Sequence, residues 1–195
     1  MLRVDRLVPR AGMPPLSLTA SPAQAVGVWI SAMPDARYLD CVAGLRPALS
    51  GSASFNGQSV TSLPPLLRGV CIGGAVSATD TVREHVRSVA DIRRQCGGTL
   101  RSAPDRLLTD LAIDPHGSMS DPAHAAAAAL AAALVSDCPL LILDDPFTAL
   151  RPVVREHAIE WLRRATQTAT VILQASAERD LRAVCPRLVI PDGPR

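Results

Sequence analysis

The chain is poor in aromatics. Two tryptophans, one tyrosine and two phenylalanines make up 3% of its 195 residues, so a core has to be assembled from Ala, Leu, Val and Ile. Metal-binding patterns are missing too. The five cysteines, at 41, 71, 96, 138 and 185, are odd in number and none has Cys-x-x-Cys spacing. That argues against a zinc site or a disulfide framework and for reduced thiols. The four histidines, at 85, 116, 124 and 157, are scattered. The longest apolar run, Ala125 to Val135, has 11 residues, too few to span a bilayer, and no N-terminal signal pattern is visible. A net charge of +2 gives no electrostatic reason to expect nucleic acid as a partner. With 48% hydrophobic and 19% charged residues the chain is not disordered by composition, and its length suits one domain over 1–195.

What is present is a set of strand and helix patterns. Leu2 and Val4 alternate with Arg3 and Asp5, an edge-strand pattern, and Leu16 to Ala20 alternates again. Ala25 to Ile30 is continuously apolar, which predicts a central strand. A helix is expected over 35–45, further helices over 104–113 and 122–135, and another from Pro152 with Val154, Ala158, Trp161 and Ala165 on its buried face. Asn56-Gly57 suits a tight turn. Leu140-Leu-Ile-Leu143 fits a strand buried on both faces of a parallel sheet. Asp144 and Asp145 follow at its C-terminal end, where open α/β sheets place their ligands.

Taken together, these stretches resemble the ATP-binding-cassette (ABC) ATPases. Leu140 to Leu150 resembles the Walker B strand and following turn. Val42-Ala-Gly-Leu-Arg-Pro47 looks like the end of the helix after the phosphate loop, and Gly51 to Val60 like the short strand and turn beyond it. Arg68 to Gly73 is similar to the strand leading to the Q-loop. Thr81-Val-Arg-Glu84 looks like the start of the helical subdomain, and Arg187 to Gly193 like the last strand and turn. The resemblance implies a P-loop-type α/β fold: a mixed central sheet with an antiparallel β edge. The core would be 1–73 and 122–195, with a helical subdomain over about 74–121. It also implies roles: Asp144 at the magnesium position and Asp145 at the general-base position.

Elsewhere the family's nucleotide contacts are replaced. Counted without gaps from Val42–Pro47, the phosphate loop is Ser31, Ala32, Met33, Pro34, Asp35 and Ala36. It has no glycine, Asp35 stands at the lysine position, and Ala36 at the magnesium-binding hydroxyl. Ala11 stands where an aromatic would stack on adenine, Gly73 at the Q-loop glutamine, Arg151 at the Asp of the dimer turn and Ser176 at the switch histidine. The signature motif falls on Ser120 to His124, or one residue earlier, without its two glycines. Helix N-termini bind phosphate through free N–H groups and a positive dipole end. An Asp at 35 or 121 can cap those donors itself. Each lost charge-assisted contact removes on the order of 1.5–3 kcal/mol, and a micromolar affinity is only about −8 kcal/mol.

The expectation is therefore a non-catalytic ABC nucleotide-binding subunit. It would scaffold or regulate a transporter at the cytoplasmic face of the membrane by docking a permease, a second nucleotide-binding subunit, or both. No cofactor is expected, nor direct membrane insertion. The alternative is an active subunit that binds Mg-ATP and hydrolyses it with Asp145 as general base. A third class, a soluble regulatory module that has left transport, stays open.

Overall fold

A computed structural model describes residues 1–30, 36–60, 70–73 and 80–191, with 70–73 given as backbone. The strands form two sheets. One is antiparallel, in the order β2-β1-β4-β5, from β1 (Leu2–Val8), β2 (Leu16–Ala20), β4 (Ser50–Phe55) and β5 (Gln58–Ser59). The other is parallel, in the order β6-β7-β8-β3-β9. It is built from β3 (Ala25–Trp29), β6 (Val70–Gly73), β7 (Leu140–Asp144), β8 (Thr170–Ala175) and β9 (Arg187–Val189). β1 pairs with both β2 and β4, so it is interior and not the edge strand its pattern suggested. Alternation reports that one face is buried, and an interior strand of a half-exposed sheet shows it equally well.

Side-chain parity along the parallel strands divides the core. Leu141, Leu143, Val171 and Leu173 point into one cluster, which also takes in α2 (Val82–Gln95), α3 (Pro104–Asp110), α4 (Pro122–Val135) and α5 (Pro152–Ala165). Leu140, Ile142 and Ile172 point the other way, into a cluster with the antiparallel sheet and α1 (Tyr38–Val42). The final helix, α6 (Glu178–Val184), and β9 both lie close against β3 at Gly27. A Cβ there would come within 2.6 Å of Leu188 and 3.1 Å of Leu181.

Several predicted elements fall where expected. α4 runs over 122–135, and every residue from Ala127 to Val135 is buried. It is apolar all round, as a helix enclosed by the core must be. Thr81 and Glu84 form a reciprocal capping box at the start of α2, satisfying two donors the helix cannot. Asn56 and Gly57 both have positive φ, 51° and 80°, in the β4–β5 hairpin. Three expectations need correction. α1 begins at Tyr38 and ends at Val42, not at 35 and 45. α3 stops at Asp110 instead of 113. On α5 the deeply buried positions are Val154, Ala158, Leu162 and Ala165, while Trp161 is only half-buried against the core. Among the described residues no helix is long and apolar enough to cross a membrane, and no His/Cys/Asp/Glu group could hold a metal ion.

Candidate functional site

The site expected from the sequence lies where the C-terminal ends of β7, β8 and β3 meet α1 and α4. Ser31, Ala32, Met33, Pro34 and Asp35 lie outside the described residues. Ala36, the next described residue after Ile30, is buried. α1 follows with Arg37 at its N-cap and no side-chain cap. A five-residue helix has too few hydrogen bonds to stand alone. It is fixed by burial of Tyr38, Leu39, Cys41 and Val42 and by the Tyr38 hydroxyl, which donates to the Pro14 carbonyl at 2.6 Å. Burial pushes that phenol's pKa up to about 12.

Asp144 ends β7 in register with Gln174 on β8. The Gln174 amide donates from Nε2 to Asp144 Oδ1 at 2.8 Å and to the Ala36 carbonyl at 2.7 Å. Its side chain is 1% exposed, and its Oε1 has no partner among the described residues. Asp144 is open to solvent along one side. Even so, desolvation by the surrounding protein holds its carboxyl above the usual range, and the nearby Asp40 and Asp145 push the same way. The Gln174 hydrogen bond and Arg37 pull against them.

Asp145 sits just beyond the strand with φ of 44°, a left-handed conformation that Asp tolerates better than most residues. Its N–H donates to the Gln174 carbonyl at 2.8 Å, and its carboxylate accepts from the Thr148 hydroxyl at 2.6 Å. The carboxylate at the general-base position is thus engaged within its own turn. A cavity of about 140 Å³ lies beside both acids, lined by Ala126, Ala129, Leu130, Leu143 and Pro146. Small-molecule pockets run about 300–1,000 Å³, so this one is smaller than a typical ligand pocket.

At the other end of the site, Asp121 is the N-cap of α4. Its Oδ1 accepts from the N–H groups of Ala123 at 2.7 Å and His124 at 3.4 Å. These bonds, led by the one from Ala123, hold its carboxyl below the usual range, and Arg151 adds to the effect. Arg151 Nη2 lies 4.0 Å from Asp121 Oδ2, so the signature-motif position and the dimer-turn position meet within this chain. Ser120 makes its own contact with Ser118, 2.8 Å between hydroxyls. Ser176 and Ala11 are exposed, and the Ser176 carbonyl accepts from Trp29 Nε1 at 3.0 Å. Gly73 closes β6, paired with Leu143.

Two features escaped the sequence reading. The first is the inward-facing Gln174 at the end of β8. The available signal was a lone amide at an alternation position that faces inward. The second is that all 20 basic side chains are arginine, so the chain contains no lysine at all. No lysine of this chain can therefore contact a phosphate.

The fold that carries these residues is that of the ABC ATPase domains. A post-hydrolysis dimer of an ATP-binding cassette bound to ADP and Pi matches with a TM-score of 0.78 at 13% identity, covering 98% of this chain and 94% of that one. An Atm1-family bacterial ABC exporter with ATP bound matches at 0.77 and 16% identity, over 98% of this chain and 37% of that one. No family model matches the sequence, but curated relatives do. The sulfate/thiosulfate import ATP-binding protein CysA of Mycobacterium tuberculosis is 30% identical over 161 residues, 78% of this chain and 46% of that protein. The thiamine import ATP-binding protein ThiQ of Ruegeria sp. is 25% identical over 205 residues, 97% of this chain and 87% of that protein. The chain thus spans about half the length of the sulfate/thiosulfate relatives it matches. Relatives in sequence and neighbours in structure are alike ABC transporter nucleotide-binding domains, and the chain belongs with that family.

Proposed function

We propose that this chain is a non-catalytic ABC nucleotide-binding subunit, one that serves a membrane transporter by holding shape instead of hydrolysing ATP. Its partners would be a permease, a second nucleotide-binding subunit, or both, at the cytoplasmic face of the membrane. The observation that carries the reading is the Asp121 cap. The N–H groups at the start of α4, where the signature motif would offer bare donors to a triphosphate, are already occupied by a carboxylate of the chain itself. A fixed anion there repels phosphate as well as displacing it. The absence of lysine and the engagement of Asp145 by Thr148 support the same reading. In a cassette dimer, where each ATP lies between the phosphate loop of one subunit and the signature motif of the other, this chain would complete neither site.

A second reading has one observation in its favour. Pro9, Arg10, Arg37, Cys41, Arg46 and Pro47 line a cleft of about 410 Å³. Arg37 and Arg46 share Asp40 at 3.3 Å each, while Arg10 pairs with no carboxylate among the described residues. Such a cleft could serve ATP in a subunit with a remodelled loop and Asp145 as base. Equilibrium binding of Mg-ATP to the purified chain, alone and with its copurifying partner, separates the two. The proposed function expects no saturable binding up to millimolar ATP. Micromolar binding, with turnover abolished by Asp145→Ala, would establish the enzyme instead.

A further inference from the structure

Among the described residues, Gln174 is the one buried polar side chain that links the elements of the site. It follows four buried residues of β8 and shares its face with Ile172, so it points toward α1 in place of an apolar side chain. Both its contacts are acceptors: the Ala36 carbonyl at the approach to α1, and the Asp144 carboxylate at the end of β7. Two acceptors so placed repel one another unless something positive lies between them. Here the Gln174 amide NH₂ lies between the Ala36 main-chain carbonyl and the Asp144 carboxylate, tethered to the chain. The orientation is not interchangeable, because turning the amide over would set Oε1 against both acceptors. The outcome is an Oε1 with no partner among the described residues, a position normally disfavoured in a buried site. The two donor contacts outweigh it.

We propose that Gln174 is a positioning residue that binds the start of α1 to β7 through its amide. The proposal rests on the non-catalytic reading above and deepens it. A cassette emptied of ligand needs another means of keeping its phosphate-loop helix on the sheet, and α1 has no side-chain cap to help. The amide engages one oxygen of Asp144, Oδ1, at the end of β7.

The test is amide hydrogen exchange on the full chain. In Gln174→Leu, the amides of Leu39 to Ala43 should exchange roughly tenfold faster or more, the loss expected for hydrogen bonds to a carboxylate and a buried carbonyl. Those of β7 and β8 should keep their protection. Asp144→Asn retains an acceptor oxygen and should leave α1 protected. If Gln174→Leu does not fold, Gln174→Met, of similar length and without donors, takes its place with the same expectation. Unchanged exchange in α1, or equal acceleration across the parallel sheet, overturns the tether and leaves the functional reading standing. Tight Mg-ATP binding by the wild-type chain overturns the functional reading, and the exchange pattern without nucleotide still decides the tether.

Discussion

α1 and α4 both begin at the expected nucleotide site, and they are held in opposite ways. α4 has 14 residues, a side-chain cap from Asp121, proline at its first position and an unbroken buried stretch from Ala127 to Val135. α1 has five residues and no side-chain cap, and depends on contacts from other elements, the Tyr38 hydroxyl and the Gln174 amide among them. The difference teaches that order at the start of a helix can come from two sources. A long helix with its own side-chain cap needs no tether at its N-terminus, whereas a short uncapped one must be tied to the sheet.

Four changes would break or sharpen this contrast. The largest effect is expected from Leu134→Ala in α4. Leu134 is fully buried, and a cavity of that kind costs about 2–5 kcal/mol, visible as a lower urea midpoint with a single cooperative transition. Next is Tyr38→Phe at α1. It leaves the Pro14 carbonyl without its donor, at a cost of about 1 kcal/mol. It should also alter alkaline unfolding. The folded phenol ionises at about 12 and the unfolded one near its ordinary value of 10.0. Stability is therefore full below pH 10 and falls as pH rises toward 12, because there only the unfolded state has lost the proton. The phenylalanine variant should lose that part of the slope. As the chain has one tyrosine, absorbance titration of the phenolate reads the same group directly.

Asp121→Ala should lower the melting temperature by removing the cap of α4, and Asp121→Asn should restore most of it, since Asn caps nearly as well. The depressed carboxyl of Asp121 contributes stability that is present above the unfolded carboxylate pKa and lost as pH falls through the folded one. Acid unfolding should therefore flatten in Asp121→Asn. Arg151→Gln comes last. An exposed pair at 4.0 Å contributes little in water, and the melting temperature should stay within error. A clear drop would mean that Arg151, and not the Asp121 cap alone, holds the start of α4.

Much of the fold was legible because local signals and tertiary packing agree. Pro122 after an acid, Thr81 three residues before Glu84, and Asn56-Gly57 are satisfied within a few residues, so neighbours in sequence suffice to specify them. The start of α1 was not legible for the opposite reason. Its hold comes from Pro14, 24 positions away, and Gln174, 138 positions away, and no local pattern announces them. Trp161 was misplaced because helical spacing admits either of two adjacent positions. Leu162, with Val154, Ala158 and Ala165, takes the buried stripe, and the larger indole packs at its rim. At the candidate site, Asp121 as a cap and the Asp144–Asp145 pair could be read directly. That Gln174 bridges Asp144 to Ala36 could not be read, because a register between β7 and β8 has to exist before 144 and 174 become neighbours.

The alanines of α4 have a consequence of their own. Alanine has no rotamers to freeze, so burying it forfeits none of the freedom that a leucine or methionine surrenders. The helix enters the centre of the molecule with its ordering cost confined to the backbone. Its thickness is then that of a bare helical rod, which sets the spacing between β6 and β7 on one side and α2 on the other. Enlarging Ala127, Ala128, Ala131 or Ala133 would act as a wedge, prising the layer apart, whereas Ala129 faces the cavity beside Asp144 and Asp145.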